Sequence, residues 1–450
     1  MKKIACLAVL VIFLFAGCSH SQADTTININ PLTPLPELQK LADSGDPAAC
    51  YELGRHYRRG TGGLKKDENK GNEYYKKGAE SDTPAGWNCN GLCYELGIGT
   101  DKNEQKGFEY YQKAAEQGYV QAQNNLGRCY QYGTGVTKDE KEAVKWYRKA
   151  AEQGYAPAQC NLGGCYTFGT GIDKDEKEAV KWYRKAAEQE YAPAQYGLGH
   201  RYILGSGVIK DEKEGANWVR KAAEQGDADA QYLLGACYGS GTGVDKDEKE
   251  AVKWFRKAAE QGDADAQFKL AMCYDNGEGV ERDLKEAAKW FRKAAEQGYA
   301  VAQFNLAVCY ANGEGVEKDL KEAAKWFRKA AEQGYAVAQL NISKYYYNGW
   351  GVEMDRIEAM RWGLKAAKQG LADAQYWVGA LYSAGGGAND QIFAAYWLQE
   401  VRKNKNASDA KRREAHGLLI DCFLDEIIVI EREGTLIFQG NGREGVLIMP

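Results

Sequence analysis

Histidine is scarce in this chain, and no stretch concentrates basic charge. Four histidines occur among 450 residues, scattered at positions 20, 56, 200 and 416. Because a structural zinc site needs cysteine and histidine at close ligand spacing, this scatter argues against a metal site, and no cofactor is expected. Lysine and arginine are interspersed with acidic residues, and the formal net charge is −4. Nucleic acid is therefore not an expected partner.

The chain also lacks an apolar run long enough to span a bilayer. The longest candidate lies at the start, where two lysines precede an unbroken apolar run from Ile4 to Phe15. Such a charged start and short apolar segment are typical of a secretory signal peptide. The run ends Phe-Ala-Gly-Cys18, which resembles a bacterial lipoprotein signal. The resemblance implies that residues 1–18 form a lipoprotein signal, in which the chain is cut before Cys18 and the Cys18 thiol is lipidated. Ordinary secretory cleavage and an uncleaved anchor are the alternatives.

The same resemblance implies a location in the cell envelope. No aspartate follows Cys18, which favours a lipid anchor in the outer membrane with the chain facing the periplasm. A periplasmic or secreted chain is the alternative. Residues 19–47 are small, polar and proline-containing, so they are predicted to form a flexible tether with an N-terminal cap, whose first helix begins near Leu38.

Most of the remaining chain repeats itself every 36 residues. Residues 133–154 read GTGVTKDEKEAVKWYRKAAEQG, and close copies begin at 169, 205 and 241. A sister version, GEGVERDLKEAAKWFRKAAEQG, occupies 277–298 and returns at 313–334. A constant period of this length is typical of a solenoid. Ten repeats are predicted to fill residues 48–404.

Each repeat is predicted to be a hairpin of two helices, named helix A and helix B. In the unit 121–156, apolar residues at helical spacing predict helix A over about 122–132. Asp139 is predicted to cap helix B, which runs over about 140–153 and carries Trp146 on its apolar face. One hairpin cannot bury this tryptophan alone, whereas stacked hairpins can. The predicted fold class is therefore all-α, an α/α superhelical solenoid.

The repeat resembles the Sel-one-like repeat (SLR), a cousin of the tetratricopeptide repeat. The resemblance covers about four-fifths of the chain. In the unit 121–156 it is carried by Ala122, Leu126, Gly127, Tyr130, Gly133, Gly135, Val136, Asp139, Ala143, Trp146, Tyr147, Lys149, Ala150, Ala151, Glu152 and Gly154. It implies a superhelix that serves as a protein-interaction scaffold, without catalytic residues.

Columns that vary between repeats predict a binding face on helix A. Positions 125, 128 and 132 share one face of the helix, and in tetratricopeptide-like stacks helix A lines the concave groove. A solvent-facing surface without function is the alternative, although the aromatic residues there favour binding. The predicted partner is a protein or peptide of unknown identity. The candidate partner-binding residues are Asn125, Arg128, Tyr132, Asn161, Phe168, His200, Leu204, Lys269, Met272, Asn305, Lys344 and Trp377.

The helix A cysteines are predicted to be small buried side chains that pack between helices, and one turn is predicted to be strained. They recur in most repeats, at Cys93, Cys129, Cys165, Cys237, Cys273 and Cys309. Stacked helices lie about 8–10 Å apart, beyond the reach of about 7 Å for a disulfide. A secreted SLR group of cysteine-rich proteins, reported as penicillin-binding or β-lactamase-like, carries paired cysteines instead. Glu190 stands where other repeats have glycine, at a conformational cost of about 1 kcal/mol.

The leading functional hypothesis is a non-catalytic, lipid-anchored scaffold that binds a protein or peptide along its concave face. A β-lactamase-like or penicillin-binding enzyme is one alternative, and a structural spacer is another. Ser408-Asp-Ala-Lys411 matches the Ser-x-x-Lys of penicillin-recognising enzymes, but the accompanying Ser-Asp-Asn and Lys-Thr-Gly motifs are missing.

Residues 405–450 depart from the repeat pattern. Apolar residues at helical spacing up to about 425 predict a capping helix. Ile427–Ile430 and Thr435–Phe438 flank Glu-Arg-Glu-Gly, which predicts a β-hairpin. The tail is expected to cover the last repeat or to dock on a partner.

Overall fold

The computed structural model describes residues 34–60, 64–385, 387–421, 428–432, 435–440 and 443–448. The predicted signal peptide, Cys18 and the predicted tether up to residue 33 lie outside the described residues. The described part holds 22 helices followed by a small sheet. None of these helices combines the length and apolarity needed to cross a membrane.

The all-α repeat fold is confirmed as ten helix hairpins preceded by α1, Leu35–Asp43. The A helices are α2 (Pro47–Arg59), α4 (Pro84–Leu96), α6 (Val120–Tyr132), α8 (Ala156–Phe168), α10 (Ala192–Leu204), α12 (Ala228–Ser240), α14 (Ala264–Asn276), α16 (Ala300–Asn312), α18 (Ala336–Asn348) and α20 (Ala372–Ser383). The B helices are α3 (Glu68–Ala79), α5 (Glu104–Glu116), α7 (Glu140–Glu152), α9 (Glu176–Ala187), α11 (Glu212–Glu224), α13 (Glu248–Glu260), α15 (Leu284–Glu296), α17 (Leu320–Glu332), α19 (Arg356–Lys368) and α21 (Ala388–Lys403). The chain forms two compact units, one ending at Trp254 and one beginning at Phe255.

Local chemistry accounts for the bounds of each hairpin. Helix α6 ends because Gly133 adopts a left-handed conformation with φ of 74°. Helix α7 begins where the Asp139 carboxylate accepts hydrogen bonds from two backbone N–H groups of the first turn, each at 3.0 Å. The two helices pack closely because a Cβ at Gly127 would lie 2.7 Å from the Tyr147 ring. The predicted Asp139 cap is confirmed.

A second glycine in several of the turns controls how neighbouring repeats meet. A Cβ at Gly171 would lie 2.0 Å from the backbone oxygen of Glu140 in the preceding repeat. Real Cβ atoms do not come this close, so the A–B turn can rest on the first turn of the previous helix B only because glycine stands there. The same contact occurs at Gly135 with Glu104, Gly207 with Glu176, Gly315 with Leu284, and Gly351 with Leu320.

A ladder of paired glutamine side chains runs through each unit. The Gln153 side-chain amide donates to Gln123 Oε1 at 2.8 Å, which ties the end of α7 to α6. In the next repeat, Gln159 donates to the backbone oxygen of Ala151 at 3.1 Å. The side-chain pair recurs at Gln189–Gln159, Gln225–Gln195, Gln297–Gln267, Gln333–Gln303 and Gln369–Gln339. The helix A member of each pair is buried, so its amide must find partners inside the fold, and the stack supplies them.

Arginine and lysine side chains cover the aromatic residues between repeats. Arg148 of α7 donates to the Tyr166 hydroxyl of α8 at 2.9 Å, and Arg184 repeats this contact with Tyr202 at 2.6 Å. The tryptophans in the register of Trp146 are mostly buried, namely Trp182, Trp254, Trp290, Trp326 and Trp362. Trp146 itself and Trp218 are only partly buried. The Lys149 ammonium lies 3.9 Å from the centre of the Trp146 ring, so a cation–π contact replaces part of the expected apolar cover.

The helix A cysteines in the register of Cys129 are buried in the packing between helices, as predicted. Cys129, Cys165, Cys237, Cys273 and Cys309 are all buried. Burial raises the pKa of the Cys129 thiol to about 12, because a thiolate would lose its hydration there. These side chains therefore act as small apolar groups in the packing between helices.

The tail forms a helix and a small sheet against the last repeat. Helix α22, Asp409–Asp421, is followed by strands β1 (Ile428–Arg432), β2 (Thr435–Gly440) and β3 (Arg443–Ile448). The strands pair antiparallel in the order β1–β2–β3. The predicted hairpin is present, but the third strand was not predicted. Val429 and Leu436 are buried beside Trp397 of α21, so the tail covers the end of the array.

Glu190 tests the cost of a left-handed backbone in this fold. It is the only non-glycine residue with positive φ among the described residues, at 61°. We expect Glu190→Gly to raise the free energy of unfolding by about 1 kcal/mol. The matched reverse change is Gly154→Glu, at a position with φ of 89° and open space around its Cβ. It should lower stability by a similar amount in urea unfolding; a stabilised Gly154→Glu would contradict the explanation.

Candidate partner-binding face

The twelve candidate residues of helix A fall into groups that differ in exposure. Asn125 is fully buried. Arg128, Asn161, His200, Lys269, Met272, Asn305, Lys344 and Trp377 are partly buried. Tyr132, Phe168 and Leu204 are exposed, with accessible fractions of 55%, 41% and 44%. The exposed and partly exposed residues can therefore contact a partner at the surface, whereas the buried Asn125 cannot.

The expectation that Asn125 is exposed is wrong. Its side-chain amide donates to Asn88 Oδ1 of the preceding A helix at 2.8 Å, inside the packing between repeats. Asn161 makes the equivalent contact with Asn124 at 2.9 Å. The column varies along the chain because different pairs of side chains can fill this junction. Variation alone therefore did not identify a solvent-facing position.

Arg128 is also engaged within the fold. Its guanidinium forms an ion pair with Glu95 of α4. The Tyr111 hydroxyl donates to the same carboxylate at 2.8 Å. Because removing one partner would leave a buried charge without compensation, Arg128 is held in the structure and is not available to a ligand.

His200 is uncharged at neutral pH. Burial, together with the neighbouring Arg201, lowers the pKa of its imidazole to about 4. Its ring lies 6.2 Å from that of Tyr196. This position therefore contributes a neutral side chain to the face.

In the second unit, the candidate residues form a more polar surface. Asn305 donates to the backbone oxygen of Val301 at 2.8 Å within its own helix. The Trp377 indole donates to Ser343 Oγ at 2.9 Å, and the Lys344 ammonium lies 5.9 Å from the centre of the indole ring. Lys269 and Met272 are partly exposed on α14. These residues remain candidates for contact with a partner.

The exposed residues of the first unit form a column that the sequence analysis identified only in part. Leu96 occupies the same position in α4 as Tyr132 does in α6, and it is 38% exposed. We call Leu96, Tyr132, Phe168 and Leu204 the apolar stripe. Leu96 lies 36 residues before Tyr132, so extending the register by one repeat toward the N-terminus would have identified it.

The Ser408-x-x-Lys411 match has a structural explanation. The Ser408 hydroxyl accepts a hydrogen bond from the backbone N–H of Lys411 at 3.2 Å, as a residue at the start of a helix does. The Lys411 ammonium contacts Glu414 at 2.7 Å and Asp373 at 3.2 Å. Burial lowers the pKa of this ammonium, but the two carboxylates outweigh burial and raise it. A lysine that acts as a base needs the opposite shift.

The described residues contain no cluster of three or more histidine, cysteine, aspartate or glutamate side chains that could hold a metal ion. The buried cysteines are also unsuited to nucleophilic chemistry, because burial raises the pKa of Cys237 and Cys309 to about 12. What the A helices offer is an uncharged apolar column in the first unit and a polar surface in the second. This arrangement suits binding.

Comparison with known proteins agrees with the repeat fold. The family model described as Sel1 repeat matches ten segments: 47–82, 89–119, 120–155, 156–191, 192–227, 228–263, 264–299, 300–335, 336–371 and 372–400. A Sel1 repeat protein from Oxalobacter formigenes is 32% identical, with 77% of this chain and 89% of that chain covered and a TM-score of 0.51. No curated protein matches the chain.

Two further solved structures share this level of identity. A protective antigen present in uropathogenic Escherichia coli strains, displaying an SLR fold, is 32% identical, with 86% of this chain and 94% of that chain covered and a TM-score of 0.46. Cysteine rich protein B of Helicobacter pylori is also 32% identical, with 29% of this chain and 92% of that chain covered and a TM-score of 0.24.

The protonation of His200 gives a testable pH dependence. Because its folded-state pKa of about 4 lies below the usual value near 6.5, folding favours the neutral ring. The stabilisation is complete above pH 6.5 and is lost as pH falls toward 4, by about 3 kcal/mol in total. We expect His200→Gln to lose less stability than the wild type between pH 7 and pH 4 in urea unfolding. The exposed His416→Gln is the matched control, and a wild-type slope in His200→Gln would refute the assignment.

Proposed function

Since the chain belongs to the Sel1 repeat family, we propose that it is a non-catalytic scaffold of the cell envelope that binds a protein or peptide along its A helices. Sel1 repeat proteins generally mediate protein–protein interactions, and their solenoid is typically non-catalytic. The observation that carries the proposal is the exposure of Tyr132, Phe168 and Leu204 at one register position. Exposed apolar side chains of this kind are typical of contact surfaces.

The polar networks of the fold support a binding role over an enzymatic one. Among the charged side chains of the A helices, Arg128 is engaged in packing with Glu95. Lys411 is held by two carboxylates. Among the described groups, neither Lys411 nor the buried cysteines Cys237 and Cys309 has the lowered pKa of an activated nucleophile.

The envelope location rests on the N-terminal segment. Two lysines, an apolar run and Cys18 support a lipid anchor. We expect metabolic labelling with an alkyne fatty acid to mark the wild-type chain and to fail for Cys18→Ala. Cys50→Ala, at a buried cysteine within the first hairpin, is the control and should retain the label. Equal labelling of all three chains would exclude Cys18 as the lipidation site.

Photocrosslinking in cells tests the binding face. A photoreactive amino acid placed at Phe168 or Lys344 should capture a discrete partner, because both positions lie on the candidate face and are at least partly exposed. The same amino acid at the exposed Lys145 or Lys289 of the B helices is the matched control and should capture none.

Equal capture from both helices, or capture from neither, would refute the binding face. The spacer hypothesis would then be favoured, because the near-identical repeats 264–299 and 300–335 need no separate ligand contacts. Turnover of a chromogenic cephalosporin by the purified chain would instead support the enzyme hypothesis.

A further inference from the structure

The apolar stripe recurs in four consecutive repeats of the first unit, and Ser240 occupies the same register in the next A helix. Each of its members is the last residue of an A helix and immediately precedes a left-handed glycine. The side chains therefore recur once per repeat at one edge of the stack. They lie outside the helix A to helix B contact that buries Leu126 and Tyr147.

The fold itself does not require apolar side chains at these positions. In the second unit the same register holds Asn276, Asn312 and Asn348, at the ends of A helices with the same left-handed glycine cap. These asparagines are also exposed. Since asparagine serves the same backbone geometry, large exposed apolar residues in four consecutive repeats point to a role outside folding.

The surroundings of the stripe carry little uncompensated charge. On its turn side, a lysine in each repeat pairs with the glutamate that begins helix B, at 2.7–2.9 Å. These pairs are Lys102–Glu104, Lys138–Glu140, Lys174–Glu176 and Lys210–Glu212. On its helix side, Arg128 is neutralised by Glu95, and His200 is uncharged at neutral pH. A charged ligand would find no unpaired opposite charge here. An uncharged ligand could bind without disrupting any of these ion pairs.

The corresponding surface of the second unit differs in charge. Glu278 and Glu314 stand two residues after Asn276 and Asn312, where the first unit has threonine or serine in the repeats beginning at 121, 157 and 193. Asn276 contacts Glu278 at 3.4 Å and Asn312 contacts Glu314 at 3.3 Å. The polar, acidic surface of these two repeats serves as a natural comparison for the neutral, apolar one; in the next repeat the exposed Trp350 takes the place of the glutamate.

We propose that the apolar stripe binds an uncharged, extended peptide segment that places one large apolar side chain against each repeat. This deepens the proposed function, on which it rests, by stating the chemistry of the partner. Stacked helices lie about 8–10 Å apart, and an extended chain rises about 3.3 Å per residue. Every third residue of the ligand therefore meets the next member of the stripe, and four contacts need a segment of about ten residues.

The experiment is selection of peptides from a random 12-residue phage-display library on the purified full chain. We expect the selected peptides to be rich in Leu, Ile, Val, Phe and Trp at spacings of three, and poor in charged residues. Their affinities are then measured by fluorescence anisotropy on the wild type and on the triple variant Tyr132→Asn, Phe168→Asn, Leu204→Asn. The variant copies residues that the second unit carries in this register, and we expect its binding to be at least tenfold weaker.

The matched control is Ile209→Asn, which removes a residue that is 91% exposed and lies outside the stripe. It should bind as the wild type does, and circular dichroism must show that both variants retain their helices. Selection of charged peptides, failure to select any, or equal binding by the triple variant would overturn the proposal. Self-association of the wild type that the triple variant loses would also overturn it, because the occupant would then be a second copy.

The same triple variant separates this proposal from the broader one. If photocrosslinking from Lys344 still captures a partner while capture from Leu96, the stripe member outside the triple variant, is unchanged by the asparagine substitutions, the scaffold function stands and the stripe proposal fails. If neither Lys344 nor Leu96 captures a partner in the otherwise unchanged chain, the scaffold function itself is refuted.

Discussion

The structure depends on the backbone contact between each A–B turn and the first turn of the preceding helix B. With a Cβ only 2.0 Å from a carbonyl oxygen, residue 171 must be glycine, and the same holds in other repeats. This contact sets the distance between hairpins. The glutamine ladder and the arginine–tyrosine pairs can form only at that distance, because hydrogen bonds tolerate little change in length. The side-chain networks are thus consequences of one steric constraint.

Much of the fold could be predicted from sequence because its causes are local and repeated. Caps such as Asp139, left-handed glycines such as Gly133 and the spacing of apolar residues act within one hairpin, and the period of 36 residues multiplies the signal. The left-handed backbone at Glu190 followed from a single exception to that pattern. The third strand of the tail was missed because no repeat supports it and its pairing depends on contacts across the sheet.

The candidate face was harder to predict, since exposure depends on how repeats meet. Asn125 and Arg128 vary along the chain as surface residues do, yet they contact Asn88 and Glu95 of the preceding repeat. The partners in these two pairs are more than 30 residues apart in the chain, so the pattern within one repeat does not reveal the contact. Leu96 could have been found by extending the register. The charge balance around Leu96 could not be predicted, because it depends on ion pairs that only the structure shows.

The contacts of Gln297 and Gln333 have a consequence for the history of the chain. Each donates to a glutamine of its own repeat and to a glycine oxygen at the preceding boundary, with the same lengths to within 0.1 Å. An in-frame duplication of 36 codons here would copy both the glutamines and the glycine that form these hydrogen bonds between repeats. The number of repeats can therefore change by duplication while the junction contacts are kept. The length of the array can evolve in this way before any single residue changes.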